Sequence, residues 1–289
     1  MMKKINKMRI AVTGSSGFIG SHLVTKIKEK QFELVEISRT TGCDISNFNS
    51  VKDIKACDII VHLAAKTFVP DSFDNPAEFY KFNYASTLNV LELARLWNAK
   101  VIYMSSYFYG PPQYLPVDEN HPLKPHNPYA QSKLHSEELC KAYARDFKLN
   151  CISLRLFNIY GPGQRNNFLI PEIFEKMKTA SIVLNDPRPK RDYIHVYDVV
   201  DAIIKCFDSK SHSNFEVYNL GTGISISVKR LVEIILQQNK SNATVEFLNK
   251  YRPTEVLDSV AGNEKIIKFL DIQKFMSIEE GLKTLAIND

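Results

Sequence analysis

Tyr129 and Lys133, in the run Tyr129-Ala130-Gln131-Ser132-Lys133, have the i, i+4 spacing that places two side chains on one face of a helix. A phenol titrates near ~10, so at neutral pH it exchanges protons efficiently only where a cation stabilises its phenolate. Lys133 is placed to be that cation. Upstream, the apolar run Tyr103-Met104-Ser105-Ser106-Tyr107 ends in two serines. At the carboxyl end of a parallel strand such side chains face a ligand crevice, where Ser105 can hydrogen-bond the substrate oxygen that trades its proton with Tyr129. The alternative is that the serines, Ser106 above all, only close the strand. The chemistry this set supports is proton transfer at a hydroxyl or carbonyl.

A second group of residues could hold the redox partner for that step. In Thr13-Gly14-Ser15-Ser16-Gly17-Phe18-Ile19-Gly20 three glycines recur at spacing three between an apolar run and a helical pattern. Glycine allows a turn with positive φ and a close ligand approach, and the helix N-terminus beyond it offers free N–H groups to a pyrophosphate. An ordinary tight turn is the competing reading. In such folds the end of the second strand commonly carries an acidic residue for the ribose hydroxyls; here that place holds Ser38 and Arg39. A hydroxyl and a guanidinium suit a 2′-phosphate, which favours NADP over NAD as cofactor, unless Arg39 is a solvated loop charge. Asp44, shortly after, is placed to accept from the adenine amino group.

The elements that must position these groups follow from periodicity. β-branched apolar runs alternate with segments of helical period, the pattern of βαβ units in a doubly wound parallel α/β sheet. Strands are predicted over 9–12, 34–37, 59–62, 101–105 and 150–156, and helices over 19–30, 76–98 and 128–148. Asn127 and Pro128 supply an N-cap and a first helical residue for the last helix. After about Arg155 the rhythm breaks into loops rich in proline and aromatic residues, which implies a smaller C-terminal lobe, with 217–219 returning to the main sheet. The expected division is residues 1–155 for the nucleotide domain, with 190–222 partly rejoining it, and 156–289 for the interrupted substrate lobe.

Composition removes other classes. The net charge of +5 arises from 37 basic and 32 acidic residues spread along the chain, without a basic stripe, so nucleic-acid binding has no support. The five cysteines form no CxxC pair and suit free thiols in a reducing cytoplasm. The basic start is followed by too short an apolar stretch for a signal peptide, and no membrane span or metal site is expected.

Together, the glycine turn, His62-Leu63-Ala64-Ala65, Asn83 with Ser86-Thr87, Ser105, Tyr129, Lys133, the run from Arg155 to Gly163, Arg191-Asp192-Tyr193-Ile194-His195-Val196 and Tyr218-Asn219-Leu220-Gly221-Thr222-Gly223 resemble the extended short-chain dehydrogenase/reductases, in their nucleotide-sugar epimerase/dehydratase branch. The resemblance runs in order from Ile10 to about Asp258. It implies a Rossmann-type domain with a smaller C-terminal substrate-binding lobe, NAD(P) as cofactor, and Ser105, Tyr129 and Lys133 as catalytic set. The cofactor contacts it implies are Gly14, Ser16, Gly17, Phe18, Ile19, Gly20, Leu63, Ala64, Ala65 and Asn83, besides Ser38, Arg39 and Asp44. For a nucleotide-diphosphate sugar it implies Arg191 and Arg252 at the diphosphate, with Glu255 orienting the second, and Ser106, Asn158 and Asn167 near the sugar and nucleotide. An ion pair of Arg191 with Asp192 is the bland alternative. A homodimer through the 76–98 and 128–148 helices is also implied; Phe82 and Trp97 belong there or in the core.

Departures from the subfamily patterns narrow the reaction. Where the 4,6-dehydratases carry Asp-Glu, this chain has Ser106 and Tyr107, and of the Cys and His used by the epimerising reductases the His has no match around Gln164, Arg165 and Asn166. Two activities remain. One is reduction of a nucleotide-linked 4-keto-6-deoxyhexose, with Tyr129 as proton donor, which Ser38-Arg39 favours; the other is NAD-dependent 4-epimerisation of the UDP-glucose type. A non-catalytic cofactor-sensing scaffold is the third reading, and the intact Ser105, Tyr129 and Lys133 speak against it.

Overall fold

The computed structural model describes residues 7–285 apart from 108, 211, 253 and 254. In chain order the first half holds β1 (Arg9–Thr13), α1 (Phe18–Glu29), β2 (Glu33–Ile37), β3 (Ile59–His62), α2 (Val69–Asp74), α3 (Pro76–Trp97), β4 (Lys100–Ser106), α4 (Pro128–Phe147) and β5 (Cys151–Leu156). The second half holds β6 (Asn158–Tyr160), α5 (Leu169–Lys178), β7 (Ser181–Leu184), β8 (Lys190–His195), α6 (Val196–Asp208), β9 (Phe215–Leu220), β10 (Ser225–Ser227), α7 (Val228–Gln238), β11 (Thr244–Phe247), β12 (Asp258–Ser259), α8 (Glu264–Leu270) and α9 (Ile278–Leu282). They gather into two compact units, residues 1–108, 123–156 and 200–218, and residues 109–122, 157–199 and 219–289.

The first unit is built on a six-stranded sheet of order β2-β1-β3-β4-β5-β9. Its pairs from β2 to β5 are parallel. The order reverses at β1, between β2 and β3, and such a switch point opens a crevice at the carboxyl ends of the strands. β3 is buried at all four positions, as a central parallel strand covered on both faces must be. Val90, Leu91 and Ala94 of α3 and Cys140 of α4 close over the core from Val101, Tyr103 and Cys151. Phe82 and Trp97 pack against this same core. The expected strands and helices all form within a residue or two of their predicted ends, and 217–219 lies inside β9, beside β5.

Local chemistry sets the helix that carries Tyr129. Asn127 Oδ1 accepts from the Ala130 N–H at 2.8 Å, Pro128 opens the first turn, and Lys148 ends the helix at φ 57°. A buried ion pair fastens its middle to the sheet: Arg155 Nη2 donates to Glu137 Oε1 at 2.5 Å and Ser153 Oγ to Glu137 Oε2 at 2.7 Å.

In the second unit β8 is the central strand, paired with β10, β12 and β6, while β7 pairs with β11. Ile173, Phe174, Leu231 and Ile235 from α5 and α7 form its core with Ile182 and Leu184 of β7. The five cysteines are free, and no helix among the described residues is long and apolar enough to cross a membrane.

Candidate active site

The turn after β1 is shaped for a pyrophosphate. Gly14 has φ 68°, and a Cβ there would meet the Ala64 backbone nitrogen at 2.9 Å, so only glycine lets the end of β1 lie against the segment after β3. A Cβ on Gly20 would overlap the Gly14 carbonyl oxygen, so α1 packs directly onto its own entry loop. Gly17 caps α1 without a side-chain bond and no acidic residue sits in the first turn, which leaves the N–H groups of Phe18, Ile19 and Gly20 to a ligand anion. Ser16 is exposed at the turn, and the buried Ser15 hydroxyl has no hydrogen-bond partner.

Ser38 and Arg39 stand beside this turn, because the Gly14 N–H donates to the Ile37 carbonyl at 2.8 Å. The Ser38 hydroxyl is buried and lies 2.7 Å from Thr40 Oγ1 within a 3-10 turn. Arg39 is exposed and has no ion-pair partner among the described residues. The Asp44 carboxylate accepts from the amide and hydroxyl of Ser46, at 3.0 and 2.7 Å.

His62 braces the other wall, where Leu63, Ala64 and Ala65 follow β3. Its Nδ1 lies 2.7 Å from Thr13 Oγ1 and its Nε2 3.1 Å from Thr87 Oγ1, while Thr13 Oγ1 accepts from the Ala64 N–H. Burial, with a smaller contribution from the Lys133 charge, pulls this ring down to about 3, so it is neutral and structural. Its role was not legible in the sequence beyond its place in a motif. Asn83, expected at the cofactor, spends its amide inside the protein. Its oxygen accepts from the Lys66 N–H at 2.8 Å, and its nitrogen donates to the Lys66 carbonyl and to Ser132 Oγ. It therefore ties α3 to α4 and to the loop after β3.

The catalytic candidates all lie in this unit, Ser105 on β4 and Tyr129 and Lys133 on α4. Lys133 is buried, with its ammonium 4.2 Å from the centre of the Tyr103 ring, and desolvation lowers it to about 7. Burial raises the Tyr129 phenol above its ordinary value, while the nearby Ser106 hydroxyl pulls the other way. Ser105 Oγ is buried without a partner. The group can exchange a proton with a substrate oxygen, through a phenol that is protonated at neutral pH.

In the second unit Arg191 Nη2 bonds Glu255, and its Nη1 donates to the carbonyls of Val256 and Lys190. Glu255 therefore orients Arg191 first; Arg252, with its side chain 80% exposed, reaches the same carboxylate only at 3.9 Å. The expected pairing of Glu255 with Arg252 is thus present as a long ion pair, and Glu255 holds Arg191 besides. Asp192 does not pair with Arg191 either. Its buried carboxylate accepts from the Thr222, Gly223 and Ala261 N–H groups at 2.8, 2.9 and 3.1 Å, and desolvation raises it despite those bonds. Asn158 Nδ2 donates to the Asp192 carbonyl, and Asn167 is exposed in the loop before α5.

A family model described as the NAD dependent epimerase/dehydratase family matches residues 10–221. A putative UDP-glucose 4-epimerase of Methanocaldococcus jannaschii is 32% identical over 309 residues, covering 96% of this chain and 97% of that protein. A GDP-6-deoxy-D-talose 4-dehydrogenase of Aggregatibacter actinomycetemcomitans is 35% identical over 240 residues, covering 80% of each. The crystal structure of a UDP-glucose 4-epimerase with UDP-glucose from Thermotoga maritima matches with a TM-score of 0.89 at 26% identity, over 96% of this chain and 97% of that one. Other structural neighbours, at 25% and 26% identity, are complexes with NAD and with NADPH. Since the family match takes in more than half of the sequence and spans the glycine turn, Tyr129 and Lys133, the chain belongs to the NAD-dependent epimerase/dehydratase family, the nucleotide-sugar epimerases and reductases of the extended short-chain dehydrogenase/reductase type.

Proposed function

We propose that this chain is an NADPH-dependent reductase of a nucleotide-linked 4-keto-6-deoxyhexose, with Tyr129 donating the proton to the C4 oxygen. The observation that carries the reading is the end of β2: an unpaired Arg39 beside the glycine turn, where a carboxylate would be needed to hold ribose hydroxyls. A guanidinium there matches a 2′-phosphate, and a cofactor that must leave in every cycle suits a reductase. The turn itself fits a dinucleotide, since Gly14 allows the close approach, the first turn of α1 offers its N–H groups, and the Ser15 hydroxyl is buried and unspent.

The nicotinamide, when bound, supplies the hydride. The residues of the chain supply the rest. Burial keeps the Tyr129 phenol protonated, the form a proton donor needs. Lys133, on the same helical face, offsets the charge left on the phenolate. Ser105 offers its unspent hydroxyl to the substrate oxygen. We assign the first unit to the cofactor. The second unit takes the nucleotide sugar, with Arg191 and Arg252 at the diphosphate, Asn158 and Asn167 at the sugar and nucleotide, and a homodimer as the working species.

A 4-epimerase is the second reading, favoured by 32% identity over almost the whole chain to the putative UDP-glucose 4-epimerase. The deciding experiment mixes the purified protein with dTDP- and GDP-linked 4-keto-6-deoxyhexoses and follows loss of NADPH or NADH absorbance. Stoichiometric oxidation, faster with NADPH, is the expected outcome. No oxidation, with NAD released on denaturation and interconversion of UDP-glucose and UDP-galactose, makes it an epimerase.

A further inference from the structure

We propose that Tyr103 is a positioning residue for the proton transfer, its ring face carrying the Lys133 ammonium so that the charge stays whole and the N–H donors stay free. This rests on the reading of Tyr129 as proton donor with Lys133 as the cation behind it. The ammonium stands 4.2 Å from the centre of the Tyr103 ring, within the reach of a cation–π contact. Both residues are buried, Tyr103 fully and Lys133 at 4% exposure, and such a contact gains strength where water is excluded. A carboxylate in the same place would also hold the ammonium, but it would cancel the charge that a phenolate needs. Glu137, one turn along α4 and the usual partner at i, i+4, is spent elsewhere, because its two oxygens go to Arg155 and Ser153 of β5. Among the described residues no ion pair reaches Lys133.

The sheet holds the ring in place. Tyr103 stands opposite His62 of β3 and Ser153 of β5 in the parallel register, and neighbours at one level of a sheet face the same side. All three reach the helices over that face. His62 Nε2 lies 3.1 Å from Thr87 Oγ1 of α3, the Tyr103 hydroxyl donates to the Lys133 carbonyl of α4 at 3.3 Å, and Ser153 Oγ donates to Glu137 of α4 at 2.7 Å. Tyr103 thus meets Lys133 twice, at the backbone through its hydroxyl and at the ammonium through its ring. Its other neighbour is the His62 ring, 5.8 Å away and tilted by 37°. Burial holds the Tyr103 phenol above its ordinary value, so the ring is neutral and its face electron-rich. The titratable groups that bear on the ammonium are the neutral His62 from β3, with Glu137 and Cys140 from α4. Arg155 from β5 meets the Glu137 charge, and the buried positions of α3 are all uncharged.

The test is the titration of Lys133 by carbon NMR in protein labelled at the lysine ε-carbon, the signal assigned by its loss in Lys133→Met. Fluorine drains electron density from a ring face with little change in size. Position 103 is therefore compared as tyrosine, as Tyr103→Phe, and as phenylalanine carrying one, two or three ring fluorines. Tyr103→Phe should keep the Lys133 pKa close to that of wild type. Across the fluorinated rings it should then fall stepwise, by about one pH unit at the most fluorinated. The basic limb of kcat for NADPH oxidation with the 4-ketosugar should move down in step, since the cation is then lost at a lower pH. If loss of the hydroxyl prevents folding, fluorinated tyrosines at position 103 give the same series. A Lys133 pKa that stays level through the series overturns the proposal, and so does a kcat profile that stays fixed while the pKa falls. Failure of the wild type to oxidise NADPH would instead overturn the reductase reading, and the NMR titration decides the contact with Tyr103 in either case.

Discussion

His62 and Lys133 show how burial at single positions sets both stability and chemistry. The His62 ring titrates at about 3 in the native state against 6.5 when unperturbed. Between those values the unfolded chain binds a proton that the native state refuses, so the stabilisation is whole above pH 6.5 and is lost as the pH falls toward 3. Each pH unit in that window costs up to about 1.4 kcal/mol. We expect His62→Gln to lower Tm at pH 7.5 and the gap from wild type to narrow as the pH falls to 5, read by differential scanning calorimetry. Lys133 behaves as a buried base in the alkaline range, at about 7 in the native state against 10.5. Below pH 7 the full cost of its charge is present, and it fades as the pH rises to 10.5. Lys133→Met should therefore raise Tm at pH 7 by at least about 2 °C, a gain that vanishes near pH 10.5, while turnover falls by about 100-fold or more. A thermal scan that shows no stabilisation at pH 7 would contradict the buried placement of this ammonium.

At the scale of elements, the approach of α1 to its entry loop and the fastening of α4 to the sheet are separately testable. A Cβ on Gly20 would overlap the Gly14 carbonyl and stand 2.8 Å from the Ser15 carbonyl oxygen, both backbone atoms that cannot step aside. Gly20→Ala should therefore lift α1 off the turn, costing about 1–3 kcal/mol in urea denaturation and weakening NADPH binding at least about tenfold. Glu137 carries both Arg155 and Ser153 in a dry setting. Glu137→Gln leaves a buried guanidinium without its counter-charge, and a loss of about 3–5 kcal/mol is expected. A denaturation midpoint close to wild type would mean that water reaches the pair in solution.

For the whole molecule, the question is whether cofactor is a resident or a visitor. A reductase should purify largely free of nucleotide and gain about 2.7 kcal/mol from NADPH at a hundred times its Kd. That corresponds to a rise in Tm of roughly 4–5 °C for a chain of this size. Under the same conditions NADH should give a clearly smaller shift, because Arg39 has no 2′-phosphate to meet. Equal shifts from the two nucleotides would remove the argument from the end of β2.

What the amino-acid sequence determined alone is what local spacing can encode. Glycines three apart after an apolar run force a turn with room for a phosphate, a phenol and an ammonium four apart share a helical face, and Asn127-Pro128 starts that helix where it is found. The second half was less legible, because its strands are short and paired across long separations, so periodicity says little about them. Partners across such distances were decided by tertiary structure. Arg191 finds Glu255, Asp192 turns inward to the Thr222, Gly223 and Ala261 amides, and His62 bridges Thr13 and Thr87. Asn83 braces α3 against α4 and the loop after β3, and Ser105 keeps a buried hydroxyl without a partner. A side chain's type and its neighbours along the chain limit the bonds it is able to make; which of them it makes depends on what the fold carries back beside it, since a buried polar group must be satisfied by whatever is there.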